Sequence, residues 1–383
     1  MKNKPNAELS LMNILHLTFD MRIGGTEQVI KNLILGADSM RFTMSVLCIE
    51  SPLGPFADDL LAENIQIHAL ARKPGFDIGL IGKIRQHIIE HKIDIIHCHQ
   101  YTPYVYGLLG ALLTSAKVVF TEHGRFYPDS TTWKRKLINP ILHKFTAATT
   151  AISAATRDAL VDYEFIPHDD IHVIYNGIIG VAADKESVKT LRIAFDLPQN
   201  CILFGTIARL DPIKNHSMML RAFKRVIYAG VNAKLMIVGD GDERANVDSV
   251  INELGIAQYV VMTGYEPKPH NHLALMDIYL LPSLSEGTSM TLLEAMSLSK
   301  PCIVTDAGGN PEIVLHNKTG LVTPNNDEEA YAQAMLTLAG DTSRQMLFGV
   351  AAKVRFEEVF SVKNMTNSYE NIYTQLCPNH QRS

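Results

Sequence analysis

Short, mainly apolar runs, each followed by a turn and a longer amphipathic segment, recur along the whole chain. In the first half these runs are Ile14–Phe19, Met44–Ile49, Ile65–Leu70, Ile93–His97, Val118–Thr121, Thr150–Ile152 and Val173–Tyr175. In the second they are Ile202–Ile207, Leu235–Val238, Val260–Thr263, Ile278–Leu281 and Cys302–Thr305. Several are rich in Ile and Val and do not alternate with polar residues, which suits strands buried on both faces of a parallel sheet. The stretches Glu27–Leu35, Ile78–His91, Met218–Ala229 and Ala330–Leu338 between them read as helices. Strand–helix alternation of this kind predicts an α/β fold.

A chain of 383 residues exceeds one ordinary core and suits two domains. The break is expected near residue 180, where Asn176-Gly177 closes a strand run and a charged stretch from Asp184 to Arg192 precedes the next. The expected domains are 12–180 and 181–362, each Rossmann-like. The last helix, 363–376, either ends the second domain or crosses back to the first. Residues 1–11 are expected to be a floppy extension. The halves are not sequence repeats of one another.

Composition removes several classes. Thirty-five Lys and Arg against 40 Asp and Glu leave a net charge of −5, which argues against a dedicated nucleic-acid binder. The five cysteines are scattered, odd in number and lack CxxC spacing, as in a reduced cytoplasmic protein. No apolar stretch reaches the roughly 18 residues of a membrane span. The start fails as a signal peptide because Glu8 interrupts the apolar run and Asp20 and Arg22 follow it.

Open parallel sheets bind ligands beyond the carboxyl ends of their strands, and two such domains facing one another make a cleft. The loops after the strands are therefore where chemistry is expected. Gly24-Gly25-Thr26-Glu27 leads into a helix, with Thr26 placed to cap it and the helix tip able to attract an anion. It reads equally well as a plain strand-to-helix turn. His97-Cys98-His99 ends a strand with both imidazoles on one face. Packing and hydrogen bonding explain it better than metal binding, because no third ligand lies nearby in sequence. His123, in Thr121-Glu122-His123-Gly124, is either a turn histidine or a donor to a substrate hydroxyl. Arg209 and Lys214 put two cations in one strand-end loop, an arrangement that suits a diphosphate.

Gly239-Asp240-Gly241-Asp242-Glu243 offers an Asp-x-Asp pair, but three letters are weak evidence for a metal. Its glycines more simply let the backbone turn beside a nucleotide, with Asp242 or Glu243 starting the next helix. The most specific stretch is Ser283–Ala295, where a strand runs into Glu286-Gly287 and then an apolar helix bearing Glu294. First-turn amides of that helix would point at an anion. Glu294 is expected about two turns below Glu286, one carboxylate meeting a sugar and the other a ribose. Asp306-Ala307-Gly308-Gly309-Asn310 is a glycine turn that structure alone explains.

Taken in order, Gly24-Gly25-Thr26-Glu27, Thr121-Glu122-His123-Gly124, Val173-Ile174-Tyr175-Asn176-Gly177, Arg209 with Lys214, Gly239-Asp240-Gly241 and the Glu286/Glu294 pair resemble the retaining family-four, or group 1, glycosyltransferases of the GT-B fold. The resemblance runs from about Met12 to the final helix. It implies that Arg209 and Lys214 neutralise a donor diphosphate and that Glu294 holds the ribose. It places Glu286 near the transferred sugar, the amides of Thr288, Ser289, Met290 and Thr291 at the diphosphate, and His123 on the donor sugar. Gly24 and Gly25 would let the first loop approach the diphosphate, and Gly239 would lie beside the nucleotide. It further implies retention, no cofactor and no metal, with a nucleoside-diphosphate sugar as donor and a UDP-sugar favoured.

The acceptor is less specified: a carbohydrate or lipid-linked molecule, as in cell-surface polysaccharide or glycoconjugate synthesis. Residues 132–146 interleave Lys134, Arg135, Lys136, His143 and Lys144 with Trp133, Leu137, Ile138, Ile141, Leu142 and Phe145. Such a helix either rests on an anionic membrane surface, making the protein peripheral on the inner face, or packs its apolar side on the core with a solvated basic face. The competing functions are a GT-B sugar-nucleotide epimerase, a non-catalytic sugar-nucleotide sensor, and a metal-dependent transferase using Asp240 and Asp242.

Overall fold

The computed structural model describes residues 11–124 and 130–378. The extension expected over 1–11 therefore lies outside the described residues, apart from Leu11. The chain divides into two units, one made of the residues through Gly177 together with those from Val362 on, the other of Ile178–Ser361. The final helix, Val362–Leu376, thus belongs with the first unit.

In the first unit seven strands form a parallel sheet: β1 (Met12–Thr18), β2 (Phe42–Cys48), β3 (Gln66–Ala69), β4 (Ile95–His99), β5 (Lys117–Glu122), β6 (Ala148–Ala151) and β7 (Ile171–Val173), in the order β3-β2-β1-β4-β5-β6-β7. The second unit has a six-stranded parallel sheet: β8 (Ile202–Ile207), β9 (Ala233–Val238), β10 (Val260–Gly264), β11 (Ile278–Leu281), β12 (Cys302–Thr305) and β13 (Gly320–Thr323), ordered β10-β9-β8-β11-β12-β13. The direction of winding reverses between β1 and β4 and again between β8 and β11. These switch points are where parallel sheets open a crevice at their carboxyl ends.

The apolar runs form the strands, and the central ones, such as β4, β11 and β12, are buried along their length, whereas edge strand β3 is largely exposed. Leu15, Leu17 and Ile96 enter the core of the first unit, and Phe204, Leu235, Ile278 and Ile303 that of the second. Two strands extend further than their apolar runs. β4 continues through His99 and β5 through Glu122, so the residues expected just past these strands lie in their last turns of pleat. β13 was not anticipated: its four residues, Gly-Leu-Val-Thr, are too short a run to stand out.

Candidate active site

In the second unit the loop after β8 and the loop after β11 meet. Lys214 Nζ donates to Glu286 Oε1 at 2.5 Å, and Ser283 Oγ donates to the same oxygen at 2.6 Å. The Leu284 amide donates to the Ile213 carbonyl at 2.8 Å, tying the two backbones together. Arg209 is largely exposed and its guanidinium pairs with Asp211 at 2.8 Å. Both cations expected in this loop therefore have a carboxylate partner, Lys214 in Glu286 and Arg209 in Asp211. Asp211 lies only two residues on and turns back to cap the short helix Pro212–Lys214, while the turn delivers Lys214 to Glu286.

The glycines around this loop have specific reasons. Gly239 and Gly241 have φ of 139° and 156°, and a Cβ on either would collide with the carbonyl of Ala208 or Leu210. The Leu210 amide donates to the Asp240 carbonyl at 3.0 Å. The Gly-Asp-Gly turn thus abuts the backbone of the Arg209 loop and fixes it. Asp240 accepts from the Gly241 amide at 2.8 Å, and Glu243 is the residue that precedes the next helix, Arg244–Leu254. Gly308, with φ 53°, sits where a Cβ would strike the Glu286 carbonyl, and the Gly309 amide donates to that carbonyl at 3.0 Å. The Gly308-Gly309 turn, which sequence reasoning assigned to structure alone, holds the backbone of Glu286. Thr305 Oγ1 adds a bond to the Ser283 carbonyl.

The helix after β11 runs Met290–Ser297, so Glu286 lies in the loop before it and only Glu294 is on it. The two carboxylates are not stacked on one helix. Ser289 caps the helix by accepting from the Leu292 amide, which leaves the first-turn amides of Met290 and Thr291 without an intrahelical acceptor. Thr288 and Ser289 are buried, and Thr291 accepts from the Tyr279 hydroxyl at 2.7 Å. Glu294 is mostly buried. Its Oε2 has no hydrogen-bond partner, and its other oxygen is 3.9 Å from His270 Nε2. Burial pushes the Glu294 carboxyl up to about 7. A buried carboxylate oxygen left without a donor costs on the order of 1–3 kcal/mol unless a ligand supplies one.

In the first unit, Gly24 rather than Thr26 precedes the helix Gly25–Gly36 as its cap. Thr26 lies in the first turn and accepts from Gln100 Nε2 at 3.3 Å. A Cβ on Gly24 would collide with the Glu27 carboxylate, whereas one on Gly25 would meet open space. Burial raises the Glu27 carboxyl, and the charge of Asp20 adds to it.

His123 ends a chain of imidazoles. His123 Nε2 lies 2.8 Å from His99 Nδ1, and His99 Nε2 lies 3.0 Å from His16 Nδ1. His16 was missed as a sequence candidate. It sits inside the apolar run of β1, and the parallel register sets it beside His97. A third imidazole therefore does accompany His97 and His99, contrary to the expectation from sequence neighbours. These three do not offer three free lone pairs to an ion. His97 Nδ1 and Nε2 bond the hydroxyls of Tyr373 and Thr121, both at 2.6 Å, and both nitrogens of His99 are taken by His16 and His123. Burial lowers His16 and His123 to about 3, so all the rings are neutral.

Neutrality links the protons along the chain. Each ring carries one N–H, so each must donate to the next in the same sense. In one arrangement His16 donates to His99 and His99 to His123, which puts the His123 proton on Nδ1. In the other the proton ends on His16 Nε2. The two terminal nitrogens, His123 Nδ1 and His16 Nε2, are both buried and without partners.

The helix Trp133–His143 turns most of its apolar side outward, as the membrane reading expects, and packs only Leu142 of its apolar residues against the core of the first unit. Beside Leu142, Asn139 is buried, accepting from the Tyr101 hydroxyl at 2.6 Å and donating to Glu164, which also pairs with Arg135 at 2.8 Å. Trp133, Leu137, Ile138, Ile141 and Phe145 are exposed. Among the described residues no helix is long and apolar enough to cross a membrane.

Comparison with known proteins fits this layout. The family model "Glycosyltransferase Family 4" matches residues 23–179, and "Glycosyl transferases group 1" matches 187–355, so the two together take in most of the chain. The chain belongs to the glycosyltransferases. Its relatives include N-acetyl-alpha-D-glucosaminyl L-malate synthase of Bacillus anthracis, 26% identical over 332 residues, covering 83% of this chain and 86% of that protein. A second is the UDP-Gal:alpha-D-GlcNAc-diphosphoundecaprenol alpha-1,3-galactosyltransferase of Escherichia coli, 24% identical with 97% and 98% of the two chains covered. Among solved structures, HepE of Anabaena in complex with UDP superposes with a TM-score of 0.83 at 20% identity, covering 95% of this chain and 100% of that one. That likeness establishes the shared GT-B architecture of this glycosyltransferase.

Proposed function

We propose that this glycosyltransferase moves a sugar from a nucleoside-diphosphate sugar, a UDP-sugar first among them, to a carbohydrate or lipid-linked acceptor, with retention at the anomeric carbon and without a metal. The observation that carries the reading is the buried, unpartnered Oε2 of Glu294, on the helix whose Ser289-capped tip follows the loop where Lys214 meets Glu286. A ribose hydroxyl satisfies that oxygen. Lys214 and the Met290 and Thr291 amides then take the diphosphate, and Arg209 leaves Asp211 to join them.

Glycosyl transfer breaks the bond between the anomeric carbon and the diphosphate oxygen while the acceptor oxygen forms a new one. Negative charge grows on the departing phosphate. Fixed cations and helix-tip amides stabilise it most in the transition state. A phosphate oxygen on the leaving side takes the acceptor proton, which accounts for retention with no protein nucleophile. His123 with its proton on Nδ1 donates to a hydroxyl of the transferred sugar, and Gly25 leaves the first loop open to the ligand. The role of UDP is supported by the bound UDP of the Anabaena structure and the UDP-Gal in the name of the Escherichia coli relative. The latter, whose named substrate is a diphosphoundecaprenol, also supports a lipid-linked acceptor and a place in surface-polysaccharide or glycoconjugate assembly.

The exposed apolar stripe from Trp133 to Phe145, flanked by Lys134, Lys136 and Lys144, is the surface we assign to an anionic membrane face, where such an acceptor resides. Thermal shift against UDP, GDP, ADP and their sugars tests the donor. Stabilisation by UDP and UDP-sugars is expected, and stabilisation by none of the panel defeats the assignment. With an acceptor found, nuclear magnetic resonance of the product must show the donor's anomeric configuration, and transfer must persist in chelator.

A further inference from the structure

We propose that the first unit carries a second site, a zinc-class divalent metal site built by His68, His87 and His91. His87 and His91 are one helical turn apart, at the end of the helix Ile78–Glu90 and at the residue that caps it. Their rings stand 4.2 Å apart, and the ring of His68 on edge strand β3 is 5.0 and 5.4 Å from them. One ring nitrogen from each lies within 4.8 Å of the other two.

The chemistry of the set favours a transition metal. Three neutral imidazoles suit zinc, nickel, cobalt or copper and not magnesium or calcium, which take oxygen. Tetrahedral Zn–N bonds of about 2.0–2.1 Å bring ligand nitrogens to about 3.3 Å from each other. The three nitrogens lie within 4.8 Å of one another here, and His68 and His91 are exposed. Three imidazoles gathered without a carboxylate between them gain nothing from one another as cations and gain a shared ligand as neutral donors.

Topology keeps this site apart from the candidate active site. The helix Ile78–Glu90 returns from β3 to the start of β4, so His91 lies four residues before that strand, whereas His123 follows the carboxyl end of β5. A groove of about 510 Å³ beside His68 and His91 leaves the fourth coordination position to water or to a ligand from outside. An ion here would pin the edge strand β3 to the end of the helix that follows it. It takes no part in glycosyl transfer.

The test uses the full chain, stripped with chelator, desalted and titrated calorimetrically with zinc chloride alone. One equivalent should bind. His68→Gln and His91→Gln should each weaken binding roughly tenfold or more, while His172→Gln, an exposed histidine on β7, leaves it unchanged. Both ligand positions are exposed, so these variants should match the wild-type circular dichroism and metal-free melting. X-ray absorption on the zinc-loaded wild type is independent of any variant and should show three imidazoles and one water oxygen. No stoichiometric binding, unaltered affinity in both variants, or a spectrum with fewer imidazoles overturns the site.

Discussion

The ammonium of Lys214 lies 2.5 Å from Glu286, a carboxylate that is itself held by the Ser283 hydroxyl. The pair joins the ends of β8 and β11, the strands on either side of the switch point in the second sheet. Glu286 therefore keeps Lys214 in place and neutralised. On the proposed reading a diphosphate takes over part of that bond.

Replacement of Lys214 by Ala should nearly abolish transfer. Loss of one preorganised donor to a developing oxyanion costs about 2.7–4 kcal/mol, a factor of roughly 10²–10³ in kcat. Circular dichroism should show the fold intact. Wild-type rates in Lys214→Ala would exclude a diphosphate role. Arg209→Ala should cost less, because Arg209 is exposed and held by Asp211.

Glu294 gives a pH signature. Its carboxyl is raised to about 7 from an ordinary 4.5, so the folded protein holds a proton that the unfolded chain has released. Stability from this group is fully present below about pH 4.5 and is lost as pH rises through 7. Denaturant titrations across that window should therefore show a downward slope that Glu294→Gln flattens. UDP affinity should move the other way, rising with pH in the wild type more than in Glu294→Gln, because the carboxylate form accepts from ribose. Parallel affinity profiles would remove Glu294 from the ribose.

On the proposed role of His123, His99 acts through it as a positioning residue. Its replacement by Leu breaks the line of N–H donors and frees the His123 proton to sit on either nitrogen. kcat should fall about tenfold, the scale of one net hydrogen bond, with KM for the donor little changed. His99→Gln should recover part of the loss. A change confined to melting temperature would make the imidazole chain purely structural.

The helix Trp133–His143 should bring the protein down with vesicles containing anionic lipid and not with neutral ones. Leu137→Glu or Lys134→Glu should weaken this, and added salt should weaken the wild type, since screening shortens the reach of its lysines. Equal sedimentation with both vesicle types would contradict an electrostatic component.

The fold was legible because buried parallel strands leave a one-dimensional trace, an unbroken apolar run, that survives without any partner in view. β8, β11 and β12 begin and end where their runs do. What escaped depends on pairing. His16 becomes a partner of His99 only once β1 is known to lie beside β4, and nothing in the run Ile14–Phe19 states that order. Gly308 is explained by the Glu286 carbonyl, twenty-two residues earlier in the chain. The helix over 132–146 showed its amphipathic spacing plainly, but its inward side is decided by Glu164, which draws Arg135 and Asn139 in and turns the apolar stripe out. Asp211, two residues from Arg209, stood in plain view as the partner that compensates it.

A crystal structure of the full chain with UDP tests the account most directly. The ribose hydroxyls should lie within hydrogen-bond distance of Glu294 Oε2, with the diphosphate on Lys214 and the Met290 amide. A nucleotide whose ribose leaves Glu294 unpartnered, with its phosphates away from Lys214, would contradict it.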